Sequence, residues 1–472
     1  MKGRIALLIA LILTSLTRGQ EKWTLQQCFD YAVRNNINMK IESLQVDNMR
    51  LNYADAAYNR LPSLSAGSRA TWNYGLTQNF TTGILENQTV FGNTWFASLQ
   101  MPVFQAFGLR YAKKSAYYQW KAEETQWAIR RNELKANITG AFLQTLMTYE
   151  NYRAAQAQWK ASEEQEKKMR ELIKEGLRPE GDLKDLQSQT ANDYLRMIQA
   201  KNQWLLAKLN LAQLLELKEI DNFDVDVDPG HFPVDENLLL RNPEDLVRTY
   251  YPENPAGKKA GYNELAAKNQ INMAKSRLYP SLNLFASWNS RFMDRERIVG
   301  AEIDPNNPYR IIGITQNTHE NVVAPNFKRI TGPPEPYFDQ LRKNSGFSFG
   351  FALNIPVFSG FSSRRRVEKA RIQWEQARLQ KENAEKNFRN NVYKLYTDVL
   401  NAREKRDAAR KNKEAAETAY RYAVEKMNLG LISPYDLANS KSRKIQAESQ
   451  YISAKYEYLF KLKLLELTLL NP

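Results

Sequence analysis

Residues 345–358 read SGFSFGFALNIPVF, and the order of residue types in this stretch decides the fold. Phe347, Phe349, Phe351, Leu353, Ile355 and Val357 alternate with Ser348, Gly350, Ala352 and Asn354. Successive side chains of a strand point to opposite faces, so this alternation gives one apolar face and one wet face. Three other stretches repeat the pattern. In LPSLSAGSRATWNY (61–74), Leu64, Ala66, Ala70, Trp72 and Tyr74 oppose Ser63, Ser65, Arg69, Thr71 and Asn73. Further on, Trp95, Ala97, Leu99 and Met101 oppose Thr94, Ser98 and Gln100, with Phe96 out of pattern; Leu282, Leu284, Ala286 and Trp288 oppose Ser281, Asn283, Ser287 and Asn289.

A membrane-spanning strand needs about 9–11 residues, apolar towards lipid and polar towards a lumen. The residues expected to face lipid are Trp72, Trp95, Leu99, Leu284, Trp288, Phe347, Phe349, Phe351 and Leu353. A soluble β-sandwich alternates in the same way, but here each strand pair is joined to helices far longer than a sandwich requires. Four strands cannot close a barrel, and an open edge is not tolerated in lipid. Several chains must therefore share one barrel.

Moving outward from the strands, the chain is written twice. MPVF (101–104) and IPVF (355–358) are offset by 254, as are Gly176 and Gly430, Asp182 and Asp436, and Leu183 and Leu437. Pro62 and Pro280, in RLPSL and RLYPSL, are offset by 218, so the second copy is 36 residues longer between its landmarks. The added length falls in 292–344, rich in Asn, Pro and Gly. The expected plan is a first repeat over 20–216, with strands near 61–75 and 93–104, a long helix near 109–175 and a return helix near 181–216. A connector (217–252) leads to a second repeat over 253–472, with strands near 280–291 and 345–358, a long helix near 361–429 and a return helix near 434–470.

Each long run would extend about 100 Å at 1.5 Å per residue. The second carries a seven-residue repeat, Phe388, Leu395, Ala402, Ala409, Ala416 and Ala423, accompanied by Val392, Val399, Tyr420 and Met427, a line that Arg406 and Lys413 interrupt. In the first copy the equivalents are Leu134, Ala141, Thr148, Ala155, Ser162 and Met169. So long a heptad register specifies supercoiling against neighbouring helices. A free-standing periplasmic coiled-coil scaffold would share this feature, but it would not need amphipathic strands.

Composition narrows the function. The start, MKGRIALLIALILTSLTRGQ, reads as a cleaved export signal over 1–19, too short to span a bilayer. No later run is apolar for about 18 residues. The single cysteine, Cys28, cannot form an intramolecular disulfide and reads as a buried helical thiol; His231 and His319 stand alone, so no His/Cys metal cluster can form. The formal charge of +15 becomes +12 once Lys2, Arg4 and Arg18 leave with the signal. Its bases are interleaved with acids along helices, as on a solvated face, which with export argues against nucleic acid. No catalytic or cofactor-binding constellation is present, so an enzyme is not expected.

The LPSL and YPSL strand starts, the MPVF and IPVF strand ends and the doubled helix breaks KEGLRPEGDLKDLQSQ (174–189) and EKMNLGLISPYDLANSKS (425–442) together resemble the TolC family of outer-membrane efflux proteins, over essentially the whole mature chain. The resemblance implies a homotrimer in which four strands per chain make a 12-stranded outer-membrane barrel, continued by a periplasmic α-helical coiled-coil barrel. It further implies an equatorial collar from residues near 23–35, 217–252 and the C-terminal end, and an exit duct fed by a periplasmic adaptor and an inner-membrane pump, for small molecules or for type I protein secretion. By match to the family pattern, Gly176, Leu177, Gly430, Leu431 and Ser433 are adaptor contacts at the hairpin tips. Asp436, with Asn439 and Asp182, belongs to the entrance constriction, while Ile432 stands where the best-known branch has a gate-linking arginine. Arg364, Arg365, Arg366, Tyr111, Tyr117, Tyr118 and Trp120 are expected membrane-surface anchors.

Overall fold

The computed structural model describes residues 22–78, 85–218, 223–227, 232 and 234–470; the export signal expected at 1–19 and His231 lie outside them. The chain forms Lys22–Trp23 (β1), Leu25–Asn35 (α1), Ile37–Tyr58 (α2), Ser63–Gln78 (β2), Leu85–Phe104 (β3), Gly108–Lys174 (α3) and Glu180–Leu214 (α4). Asp224–Val225 (β4), Pro243–Tyr250 (α5) and Pro255–Ser276 (α6) follow. Then come Ser281–Met293 (β5), Arg297–Ile303 (β6), Tyr309–Ile314 (β7), Asn321–Pro325 (β8), Phe327–Gly332 (β9), Tyr337–Lys343 (α7), Gly346–Asn354 (β10), Ser362–Asn428 (α8) and Pro434–Leu470 (α9).

The internal repeat extends to backbone detail. Helices α3 and α8 each have 67 residues, and α2 and α6 each have 22. Ahead of α3, Ala106 and Phe107 take φ of 45° and 62°; ahead of α8, Gly360 and Phe361 take 56° and 61°. In both turns the first helical residue donates its N–H to the carbonyl three residues earlier, Gly108 to Gln105 and Ser362 to Ser359. An edge-to-face phenylalanine pair closes each turn, Phe104–Phe107 at 5.9 Å and Phe358–Phe361 at 5.5 Å. Two consecutive left-handed residues, one of them a phenylalanine, are costly for L-residues. Packing of the ring against the strand end offsets part of that cost.

The chain divides into two compact units. One comprises Ala54–Lys114 and Asn269–Arg371 and holds a four-stranded sheet, in the order β10-β5-β3-β2, antiparallel throughout. Its register carries Ser65, Ser98, Ser287 and Ser348 across all four strands in one row, with hydroxyl pairs at 2.8 Å between Ser65 and Ser98 and between Ser287 and Ser348. Phe96, out of pattern in the sequence, lies on this wet face over Gly67, where a Cβ would sit 2.7 Å from its ring. Phe285 covers Gly350 in the same manner. A glycine on each edge strand thus receives the ring of the neighbouring inner strand, a pairing that fills the gap left by the missing side chain.

Several boundaries differ from the sequence reading; β3, for one, begins at Leu85 rather than near 93. The ladder of β10 stops at Asn354 rather than 358, because its partner β5 begins only at Ser281. The stretch 292–344 is not an irregular loop: β6 pairs with β9 and β7 with β8, and α7 follows.

The other unit contains the described residues up to Tyr53, Ser115–Lys268 and those from Ile372 onward. One buried cluster joins Leu25, Cys28, Phe29 and Ala32 of α1 to Ile138, Phe142 and Leu146 of α3, Leu211 of α4, and Val225. A second joins Phe388, Val392, Leu395, Val399 and Ala402 of α8 to Tyr458, Leu462 and Leu465 of α9 and Leu246 of α5. Burial pushes the Cys28 thiol up to about 12, since the thiolate cannot be solvated there. Arg406 and Lys413 do not interrupt the heptad seam. Arg406 stacks on Tyr458 (4.2 Å) and Lys413 on Tyr451 (5.3 Å), and one heptad further the pairing reverses, with Lys444 over Tyr420 (5.3 Å). The rings take the place of aliphatic knobs, and each cation adds about 0.5–2 kcal/mol.

Candidate functional site

The two helix breaks have the same construction. Gly176 and Gly430 take φ of 74° and 73°, the left-handed geometry that ends a helix. Gly176 N–H donates to Ile173 and Leu177 N–H to Leu172; Gly430 and Leu431 do the same to Met427 and Lys426. These are Schellman caps, which satisfy the last carbonyls of α3 and α8. Leu177 and Leu431, just past the caps, are 64% and 68% exposed, so each tip presents a bare apolar side chain.

Helix α9 starts with a reciprocal cap. The Ser433 hydroxyl and N–H both donate to Asp436 Oδ2, at 2.7 and 3.2 Å, and Asp436 N–H donates back to the Ser433 hydroxyl at 3.2 Å. The hydroxyl first, then the backbone N–H, holds the Asp436 carboxyl below its ordinary 3.8. Asp436 and Asn439 are both exposed, on successive turns of one helix. Asp182 is placed differently. It lies 3.8 Å from the Arg178 guanidinium, which also donates to the Met427 carbonyl of the other hairpin. It lines a groove of about 360 Å³ with Met169, Leu172, Met427, Tyr435, Leu437 and Lys441. Asp182 thus lies between the hairpins, whereas Asp436 and Asn439 do not line that groove.

One cluster escaped the sequence reading. Lys441 of α9 donates to Asp193 Oδ2 of α4 and to the Ser162 hydroxyl of α3, both at 2.6 Å, and Ser162 also donates to Asp193 at 2.6 Å. The Lys441 and Asp193 side chains are 4% and 1% exposed. Gln189 supplies a donor to Asp193 Oδ1 at 3.2 Å. Desolvation lowers the Lys441 ammonium below its ordinary 10.5, with the bond to Asp193 acting in the opposite sense. The internal repeat held a clue: at the 254-residue offset Asp193 matches the buried Ala447, and Lys441 matches Gln187.

In the sheet unit, the register puts all nine expected lipid-facing residues on one face. Phe347, Phe349, Phe351 and Leu353 are 62–73% exposed there. Trp95 and Trp288 share the face, but their indole N–H groups donate to the Tyr337 and Ser345 hydroxyls, at 2.8 and 2.6 Å. Three of the expected anchors make ring contacts with neighbouring helices: Tyr53 stacks on Trp120 and contacts Tyr117, and Tyr118 stacks on Tyr262. Arg364, Arg365 and Arg366 remain exposed, with Arg365 bonded to the Gly360 carbonyl.

No helix among the described residues is long and apolar enough to cross a membrane, and no group there of three or more His, Cys, Asp or Glu could hold a metal ion. A sheet with one exposed apolar face and one wet face, on a chain of paired long helices, defines an outer-membrane channel subunit. The family model for the outer membrane efflux protein matches residues 30–216 and 252–469, and the chain belongs to that family. Its members are channels rather than enzymes. Solved structures with the same fold include CusC (TM-score 0.71, 13% identity, 94% of this chain and 91% of that one). VceC of Vibrio cholerae gives 0.69 at 14% identity, covering 93% and 94%. The open-state outer-membrane channel MtrE of Neisseria gonorrhoeae gives 0.68 at 15%, covering 94% and 88%. No curated protein sequence matches the chain significantly.

Proposed function

We propose that three copies of the chain pair their sheets into one 12-stranded barrel and form a passive exit duct, receiving substrate from a periplasmic adaptor and an inner-membrane pump. One observation carries this reading: β2 and β10 are the two ends of an antiparallel sheet, run in opposite directions and have no further strand partner among the described residues. β10 of one copy can therefore continue the ladder antiparallel to β2 of the next, and repetition closes the ring without an exposed edge. The shared apolar face then meets lipid, and the serine row lies inside.

The hairpin tips are the docking and gating end. Gly176, Leu177, Gly430, Leu431 and Ser433 contact the adaptor, and Asp436 with Asn439 rings the constriction, where three carboxylates favour cations. Asp182, in the groove between hairpins, bears on how they part. Opening is a shift between two arrangements of the hairpins, driven by the adaptor's stronger contact with the open one.

Planar-bilayer recording tests the duct. Purified protein should give cation-selective pores, and Asp436→Ala should lower that selectivity; a protein without conductance would fit a periplasmic scaffold instead. Gly430→Trp, at a left-handed position with open space around it, should leave assembly intact and impair adaptor engagement. Export at the normal rate by that variant would move the docking site elsewhere.

A further inference from the structure

We infer that helix α7, within the stretch added to the second repeat, is an interfacial anchor seated at the headgroup–acyl boundary of the outer leaflet. The inference rests on the membrane-barrel reading above and assigns a role to an element that reading does not use.

The outward face of the sheet changes character along its strands. From the helix-proximal end it is apolar, as in Leu99, Ala97 and Leu284, up to the level of Trp95. There it turns polar, with Ser68, Asn93 and Ser290 on the lipid side. A polar group facing acyl chains without a partner costs several kcal/mol, and α7 supplies the partners. The Tyr337 hydroxyl donates to Asn93 Oδ1 (2.6 Å) and accepts from the Trp95 indole (2.8 Å). Ser290 donates to the Leu341 carbonyl, and Asn93 donates to the Ser68 hydroxyl (3.0 Å). Ser290 and Asn93 are 1% and 8% exposed as a result.

The height fits. From Phe104, the end of β3, to Trp95 is about 30 Å along the strand at 3.4 Å per residue. At a tilt of about 40° this is about 23 Å of membrane depth, close to the roughly 25 Å apolar band of outer-membrane barrels. At and above this level Trp72, Phe91, Phe292, Tyr337 and Phe338 form a continuous row of ring contacts at 4.8–6.1 Å, running from the edge strand onto α7. Aromatic girdles flank the apolar band of outer-membrane barrels, and the amphipathic rings of Trp72 and Tyr337 are of the kind that sits at membrane–water interfaces. Phe338 is 81% exposed although the helix that bears it is packed down on the sheet. The charged side chains of α7 pair locally, Arg342 with Asp339 (3.3 Å) and Lys343 with Glu335, so no lone charge accompanies Phe338 towards the membrane surface.

Spin labels placed on the assembled protein in vesicles of phosphatidylethanolamine and phosphatidylglycerol test this. Cys28 is fully buried and will not compete for the label. Single cysteines are introduced as Phe338→Cys, Phe349→Cys as a mid-band control and Leu177→Cys as a hairpin-tip control, and accessibility to oxygen is compared with that to a water-soluble nickel chelate. The oxygen-to-nickel ratio at 338 should be several-fold above that at 177 and below that at 349. A label at 338 that matches 177, while 349 is immersed, would overturn the anchor and leave the barrel standing. Shielding at 338 from both reagents would assign the helix to a neighbouring copy. A water-accessible 349 would remove the barrel and the anchor together.

Discussion

Ser433 and Asp436 cap a helix, and the constriction role proposed for Asp436 would rest on the same bonds. Asp436 is a helix-start residue, since it caps α9 through Ser433, and the capping bonds also hold its charge to lower pH. A carboxylate with a depressed native pKa stabilises the fold above its unfolded pKa, and that contribution is lost as pH falls through the native value. Ser433→Ala removes the stronger donor, so the Asp436 pKa should rise. In bilayers, cation selectivity of the variant should fade at a higher pH than in the parent on acid titration; coincident curves would remove Asp436 from the constriction. The position of this aspartate was legible from the repeat alone. Its cap came only with the structure, although Ser433 three residues before it has a capping-box spacing.

Among the helices, the heptad line was legible wherever the seam is apolar: Phe388, Val392, Leu395, Val399 and Ala402 are all buried. Legibility failed where the knob is a cation. Nothing near Arg406 in sequence discloses that Tyr458 lies opposite it. The Lys441 cluster was hidden for the same reason, because its members stand 31, 248 and 279 residues apart on three helices. Helix α7 was hidden because its sheet partners are equally remote and 292–344 carries no strong period. The Lys441 cluster ties the second hairpin to both helices of the first. Lys441→Met would leave Asp193 buried without its counter-charge, a change that costs about 3–5 kcal/mol. Amide exchange over 160–195 and 430–445 should accelerate, and adding Asp193→Leu should recover part of the loss. Unchanged exchange in the single variant would show that the cluster does not hold the hairpins together.

At the scale of the whole molecule, sequence and structure make the same demand from different directions. Four alternating strands ask for a shared barrel, and the sheet has an exposed apolar face with edge strands running oppositely. Phe349→Arg should impair membrane insertion, because arginine at the lipid midplane costs about 2–4 kcal/mol. Normal outer-membrane yield of that variant would reverse the facing of the sheet. The number of copies is beyond one chain's sequence, since the strands fix only that the edges must be met, and the trimer rests on family resemblance. An electron cryomicroscopy reconstruction of the protein in lipid nanodiscs reads that number directly. It should show three-fold symmetry and twelve strands, with β10 of each copy hydrogen-bonded to β2 of the next. A single copy, or copies whose edge strands face lipid unpaired, would contradict the account.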